Sequence, residues 1–264
     1  MNQSEFLASL AASRRLVDGC LAGHPCRKRF APEHLRETTL AYPDAGGKRL
    51  RPALLMTACE MAGSAAETAV PAAAAVELFH TWTLIHDDII DNDDQRRGHP
   101  TAHVLASRRA KEALGYGDEA ARLYGRDNAI LAGDLMHGWA VALFLDTAKA
   151  PNAKPDVILE LLRRMEGEVV PDLIRGEMLD ILYSRQDPNS LTEADILEML
   201  RLKTGVLMEF SALAGASLGA GQRPETLPLA KTLAEIAWRS GIGFQLQDDI
   251  LGIIGDEKSL GKPV

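Results

Sequence analysis

The stretch Asp87-Asp88-Ile89-Ile90-Asp91-Asn92-Asp93-Asp94 puts five aspartates into eight residues, directly after an apolar segment. At about 100° per residue in a helix, Asp87 and Asp91 share one face, and His80 falls within about 20° of it. The C-terminal end of a helix disfavours negative charge, and crowded carboxylates repel one another. A bound cation resolves both problems. Hard oxygen donors point to Mg²⁺ or Ca²⁺, and the spacing lacks the glycine and terminal glutamate of an EF-hand loop. Mg²⁺ takes one or two protein carboxylates and fills its shell with water and phosphate oxygens. A second acidic pair, Asp248-Asp249, ends the apolar segment 242–251, with Asp256 and Glu257 beyond it. Two such clusters on separate helices suggest facing carboxylate banks around one polyanion.

Two basic stretches complement them. Gly46-Gly47-Lys48-Arg49-Leu50-Arg51-Pro52 leads a glycine pair into three cations at a helix start. Free backbone N–H groups and the helix dipole favour anions there. Arg96-Arg97-Gly98 follows the first acidic cluster. Arginine recognises phosphate by paired hydrogen bonds. The sequence therefore asks for two anionic groups, one bridged to aspartates by metal and one held by Lys and Arg.

The elements that must position these groups read as all-α. Helix formers dominate and no alternating strand pattern stands out. Breakers delimit segments of helical length: 4–21, one from Pro32 that closes before Pro43, one starting near Pro52, and one from Pro71 to Asp91. Ser190 with Glu193 fits a capping box opening 191–220, and a last segment covers 229–254. Segments of this length predict one large helical bundle over 1–264. The chain has 264 residues, a net charge of −8 and a pI near 5.4, which argues against nucleic-acid binding. Mean hydropathy is −0.08, and no apolar run approaches the roughly 20 residues of a membrane span. Cys20, Cys26 and Cys59 form no CxxC motif, and the N-terminus does not read as a signal peptide. These features predict a cytoplasmic chain with no membrane span.

The motif set resembles the trans-isoprenyl diphosphate synthase (polyprenyl synthetase) family. The matching stretches are GGKRLRP (46–52), LIHDDIIDNDDQRRGHPTAH (84–103), ILAGD (130–134), Lys203-Thr204-Gly205 and GFQLQDDILGIIGD (243–256) with Gly261-Lys262. The resemblance implies an all-α bundle around a central cavity, a homodimer, and condensation of isopentenyl diphosphate with an allylic diphosphate. It makes Asp87, Asp88, Asp91, Asp248 and Asp249 the ligands of about three Mg²⁺ ions. It assigns Arg96, Lys203, Thr204, Gln245 and Lys262 to the allylic diphosphate. Lys48, Arg49, Arg51, His80 and Arg97 fall to the isopentenyl diphosphate site. One position departs: Gly252 stands where the second motif usually carries a third aspartate, which bears on metal affinity.

In this family a large residue four or five positions before the first aspartate helps form the cavity floor. Here those positions are Thr83 and Trp82, with Phe79 a second floor candidate. An aromatic at the fifth position, with no insertion between Asp88 and Asp91, resembles geranylgeranyl diphosphate synthases. The expected product is the twenty-carbon chain, with farnesyl diphosphate synthase as the alternative. By helical arithmetic Trp82 lies about 140° from Asp87, so it need not line the same wall. A class I terpene cyclase would lack GGKRLRP and carry an Asn/Ser/Glu triad instead of Asp248-Asp249. A non-catalytic subunit would tend to lose one acidic motif. Family members usually continue past the Lys262 loop, so the resemblance implies that a C-terminal part of the fold lies outside these 264 residues.

Overall fold

The computed structural model describes residues 2–254. Eleven helices run through the described residues: α1 Gln3–Gly23, α2 Glu33–Ala45, α3 Leu50–Met61, α4 Val70–Ile90, α5 Ala102–Leu114, α6 Asp118–Leu145, α7 Pro155–Arg164, α8 Val170–Tyr183, α9 Glu193–Leu200, α10 Val206–Ala220 and α11 Pro228–Ile254. One short hairpin joins α4 to α5, with β1 Gln95–Arg96 antiparallel to β2 His99–Pro100. The expected helical bundle is present.

α4 is the central element because it is apolar on nearly every side. Ala72, Ala73, Ala74, Ala75, Val76, Leu78, Phe79 and Ile85 are all buried. Pro71 sits in its first turn, where a missing N–H costs nothing. α6 packs antiparallel beside α4: His86 meets Ile130, while Phe79 and Trp82, further back along α4, meet His137. One helical stretch, 118–149, is long and apolar enough to cross a membrane by length and composition, and half of its most apolar window is buried in the bundle.

Close helix approach elsewhere depends on glycine. A Cβ on Gly215 of α10 would stand 2.0 Å from the Leu55 carbonyl oxygen of α3. Backbone, not a pliable side chain, fills that space.

Three boundaries differ from the sequence expectation. α2 continues through Pro43 to Ala45, because Pro43 lies in the last turn where few following residues depend on the ladder. The capping box belongs to Thr192 and Asp195, two residues after the expected Ser190 and Glu193. Ser190 instead closes a short 3₁₀ turn by donating its hydroxyl to the Asp187 carbonyl at 2.7 Å. The segment expected to run unbroken to Ala220 is α9 and α10 joined by a π turn, Arg201–Gly205. Such widened turns recur at functional sites, and this one carries Lys203 and Thr204.

Replacing Gly215 by Ala is expected to lower stability by about 1–3 kcal/mol through overpacking against α3. Urea denaturation of the two proteins measures it, and an unchanged midpoint would contradict the close approach of α3 and α10.

Candidate active site

The C-terminal end of α4 gathers charged groups from three other elements: β1, α8 and the π turn before α10. Asp88 is fully buried. Arg96 on β1 returns to it with Nε at 2.8 and 2.9 Å from the two carboxylate oxygens and Nη2 at 2.5 Å from Oδ1. The chain makes this return through Arg97 and Gly98, both at positive φ, which is the tight-hairpin conformation. Tyr42 of α2 donates its hydroxyl to Asp88 Oδ2 and accepts the Ala102 N–H at 3.1 Å. Burial, then the hydrogen bond to Asp88, pushes the Tyr42 phenol up. Burial opposes the Arg96 charge, yet Asp88 and Asp87 hold its pKa above the usual value. Asp88 was expected among open metal ligands. Its oxygens are instead taken by Arg96 and Tyr42, which makes it a buried anchor.

Asp87 points to a different group. Its Oδ2 receives Arg96 Nη2 at 3.1 Å, and its Oδ1 stands 3.3 Å from Lys203 Nζ. That Oδ1 is buried and accepts no hydrogen bond. Lys203 also meets Glu177 at 3.0 Å and Asp180 at 2.6 Å, both from α8. Burial works against its ammonium, but Asp87, Asp180 and Glu177 raise its pKa well above the usual value. Gly176 sets this register, since a Cβ there would lie 2.4 Å from the Lys203 amide nitrogen. Glu177 Oε1 is a second buried oxygen without a hydrogen bond. Burial raises the Glu177 pKa, with Lys203 pulling the other way. Asp91 follows at the surface, its carboxyl raised by partial burial and then by the Asp87 charge.

The second acidic pair lies on α11. Thr204 donates to Gln245 Oε1 at 3.1 Å, and Gln245 Nε2 donates to Asp249 Oδ1 at 2.9 Å. Asp248 and Asp249 are exposed. Among the described residues no three acidic, His or Cys side chains form a ready metal cage. The banks expected to face one another are thus not joined into one ligand set. Lys262 and Asp256 lie outside the described residues.

The basic segment before α3 divides in two. Arg49 was expected on substrate, but its guanidinium is buried. It donates to Asp18 at 2.9 Å, Glu77 at 2.7 Å and the Pro43 carbonyl at 2.8 Å. It ties α1, α2 and α4 together. Arg51 keeps a buried Nε with no hydrogen bond, and Lys48 and Arg97 are exposed. His80 is pushed well below the usual imidazole value by burial, then by Arg51, Arg97, Arg96 and Arg49. It is a neutral ring beside cations.

Below the charged end is an aromatic layer. Trp82 packs tilted against His137 of α6 with ring centroids 4.8 Å apart and meets Phe79 edge-on at 5.0 Å. It faces α6. Thr83 bonds back to the His80 carbonyl at 2.7 Å, on the Asp87 side of the helix. A cavity of about 420 Å³ lined by Ser64, Thr68, Thr147 and Lys154 lies at the far end of α4 and has no acidic cluster.

Tyr42, Glu177, Asp180, His137 and Glu166 are contributors that the sequence reading passed over. Glu177 and Asp180 carried a usable signal, an acidic pair three apart on one helical face. The others are single residues brought in by packing.

Residues 32–264 match the polyprenyl synthetase family. A geranylfarnesyl diphosphate synthase of Aeropyrum pernix is 39% identical over 89% of this chain and 66% of its own. The crystal structure of a geranylgeranyl pyrophosphate synthetase from Pyrococcus horikoshii Ot3 superposes with a TM-score of 0.79 at 32% identity, over 98% of this chain and 71% of that one. A polyprenyl synthase from Caulobacter crescentus CB15, solved with calcium and isoprenyl diphosphate, gives 0.71 at 29% identity over 97% of this chain and 65% of that one. The chain spans 58% to 66% of the length of four curated relatives. With the acidic end of α4, the returning Arg96 and the Lys203 turn all present in one bundle, the match is of fold and motifs together, and the chain belongs to the polyprenyl synthetase family.

Proposed function

We propose that the chain condenses isopentenyl diphosphate with an allylic diphosphate and releases geranylgeranyl diphosphate. The carrying observation is the convergence of Asp87, Arg96 and Lys203 at one end of α4, above an aromatic layer. The buried oxygens of Asp87 and Glu177 that accept no hydrogen bond, together with the hard-oxygen donor set, fit Mg²⁺. Asp87 and Asp91, with Asp248 and Asp249 from α11, would hold it. When bound, the metal offsets charge on the departing diphosphate. The calcium and isoprenyl diphosphate of the Caulobacter relative support this reading.

The chain's own groups have distinct tasks. Arg96 and Lys203 present fixed positive charge to the allylic diphosphate, where its negative charge grows as the allylic C–O bond breaks. Thr204 and Gln245 orient the α11 side of the same group. Lys48, Arg51 and Arg97 hold the second diphosphate, with neutral His80 as a hydrogen-bonding partner. The isopentenyl double bond attacks the allylic cation, and the new cation loses a proton to the released diphosphate. The apolar walls keep water from capturing either cation. Trp82, Phe79 and Thr83 bound the tail, and the Pyrococcus relative, a geranylgeranyl pyrophosphate synthetase, supports the twenty-carbon product. A cytoplasmic homodimer completes the reading. The exposed Ile130, Leu131 and Leu145 on α6 support pairing through that helix.

Purified chain with Mg²⁺, isopentenyl diphosphate and farnesyl diphosphate is expected to yield geranylgeranyl diphosphate. Asp87→Asn should lower turnover at least a hundredfold, about 2.7 kcal/mol in the barrier. A folded wild type that consumes no isopentenyl diphosphate would sink the proposal. Trp82→Ala is expected to lengthen the product, read by chromatography, and an unchanged length would remove Trp82 from the floor. The neutral state of His80 also predicts a pH effect on stability. Its folded pKa is depressed, so below 6.5 the unfolded chain takes up a proton that the folded one refuses. Stability present above pH 6.5 is therefore lost as pH falls toward the folded value, by up to about 1.4 kcal/mol at pH 5.5. Urea titrations at pH 7.5 and 5.5 should show this loss in wild type and a smaller one in His80→Asn.

A further inference from the structure

We propose, on the prenyltransferase reading above, that Arg14 of α1 is a further binding residue for isopentenyl diphosphate. Its guanidinium closes on the diphosphate from outside the motifs that carry the other cations. Arg14 precedes the segment 32–264 that matches the family.

The packing of α1 places this side chain. Ser13, Val17 and Leu21 are buried on successive turns. Arg14 and Asp18 each follow by one position, on the flank of the same helix. Arg14 reaches Gly46, the first residue of the basic turn. A Cβ on Gly46 would stand 3.0 Å from Arg14 Nη2, and Gly46 has a φ of 79°. Arg97 Nη1 donates to the carbonyl of the same glycine at 3.1 Å. Two guanidinium groups, one from α1 and one from the hairpin, thus lie against one residue. Covalent geometry keeps them within about 10 Å of each other.

The nearby carboxylates are already engaged. Asp18 Oδ1 accepts Arg49 Nε at 2.9 Å, and Glu77 accepts Arg49 Nη1 at 2.7 Å. Asp44, beside the turn, is taken by Arg27 through two bonds of 2.8 Å. Among the described residues no ion pair reaches Lys48, Arg51 or Arg97, and Arg51 Nε is buried without a hydrogen bond. Arg14 meets Asp18 Oδ2 at 3.3 Å, and its side chain is 51% exposed. That contact is long for a charge-assisted bond, and an exposed ion pair contributes little. Arg14 is therefore held over the turn but not locked there. A diphosphate gathered by Lys48, Arg51 and Arg97 offers it shorter bonds, and relieves the repulsion between the Arg14 and Arg97 charges. Arg14 binds and takes no part in bond making.

The test compares wild type with Arg14→Gln and Arg15→Gln. Arg15 is exposed, and its loss removes the same charge about 100° round the helix. Isothermal titration with isopentenyl diphosphate in EDTA reads this site without metal or turnover. Titration with farnesyl diphosphate in Mg²⁺ buffer reads the allylic site. Arg14→Gln is expected to weaken isopentenyl diphosphate by about fivefold to tenfold, up to about 1.4 kcal/mol, and to leave farnesyl diphosphate within about twofold. Arg15→Gln should bind both as wild type does. Unchanged isopentenyl diphosphate affinity in Arg14→Gln overturns the role of Arg14. So does an equal loss in Arg15→Gln, or a loss for both ligands in Arg14→Gln. Each of these leaves the enzyme reading standing. Failure of wild type to bind isopentenyl diphosphate overturns both.

Discussion

The structure depends on how negative charge is tolerated at the C-terminal end of α4. Two like charges about 4 Å apart repel by about 4 kcal/mol at an effective dielectric of 20. The helix dipole adds only about 0.3–1 kcal/mol of further penalty. Repulsion among Asp87, Asp88 and Asp91 is the larger problem, and it is answered by cations from outside the helix. Arg96 arrives through the hairpin and Lys203 through the π turn before α10. Each needs a special backbone to arrive. The hairpin needs Arg97 and Gly98 at positive φ, and the Lys203 turn needs Gly176 opposite it. Elements remote in sequence are thus positioned by one electrostatic constraint.

That constraint also sorts the aspartates. Asp88 is sealed beneath the surface with two partners, and a buried ionised carboxylate must be so paired. It holds Arg96 firmly enough for that guanidinium to reach Asp87 as well. Asp87 keeps an oxygen without a hydrogen bond, because Lys203 is shared with Glu177 and Asp180. One carboxylate serves as foundation and its neighbour stays open for chemistry. Arg49 and Arg51 repeat this division, the first locked among Asp18, Glu77 and Pro43, the second with a buried Nε left over.

Much of this was legible in the sequence because its signals are local. Proline and glycine punctuation located α3, α4 and α11 within a few residues, and the dominance of helix formers with segments of that length gave the bundle. The acidic and basic motifs gave the charged end of α4. The misreadings come where a long-range partner decides. Nothing within a few residues of Arg49 reveals that Glu77 and Asp18 will enclose it, so it resembled its motif neighbours. Asp88 looked equivalent to Asp87 because Tyr42, forty-six positions earlier, carries no motif of its own. Ser190 fitted a cap by spacing, but Asp187 draws its hydroxyl into a preceding turn and the next competent residue, Thr192, takes the role.

The second acidic pair follows from the same electrostatics. Lys203 already faces three carboxylates, and Asp87, Glu177 and Asp180 leave a net negative environment around one ammonium. Bringing Asp248 and Asp249 against that set would add like charge where each near pair costs several kcal/mol. α11 instead keeps them exposed and couples Asp249 inward through neutral Gln245 and Thr204. Thr204 adjoins Lys203 on the same π turn, so a shift of Lys203 toward an anion would move the support of Gln245 as well. The two acidic banks are therefore mechanically linked through one widened turn, while their direct approach is opposed by charge. A multivalent cation between them would offset that repulsion.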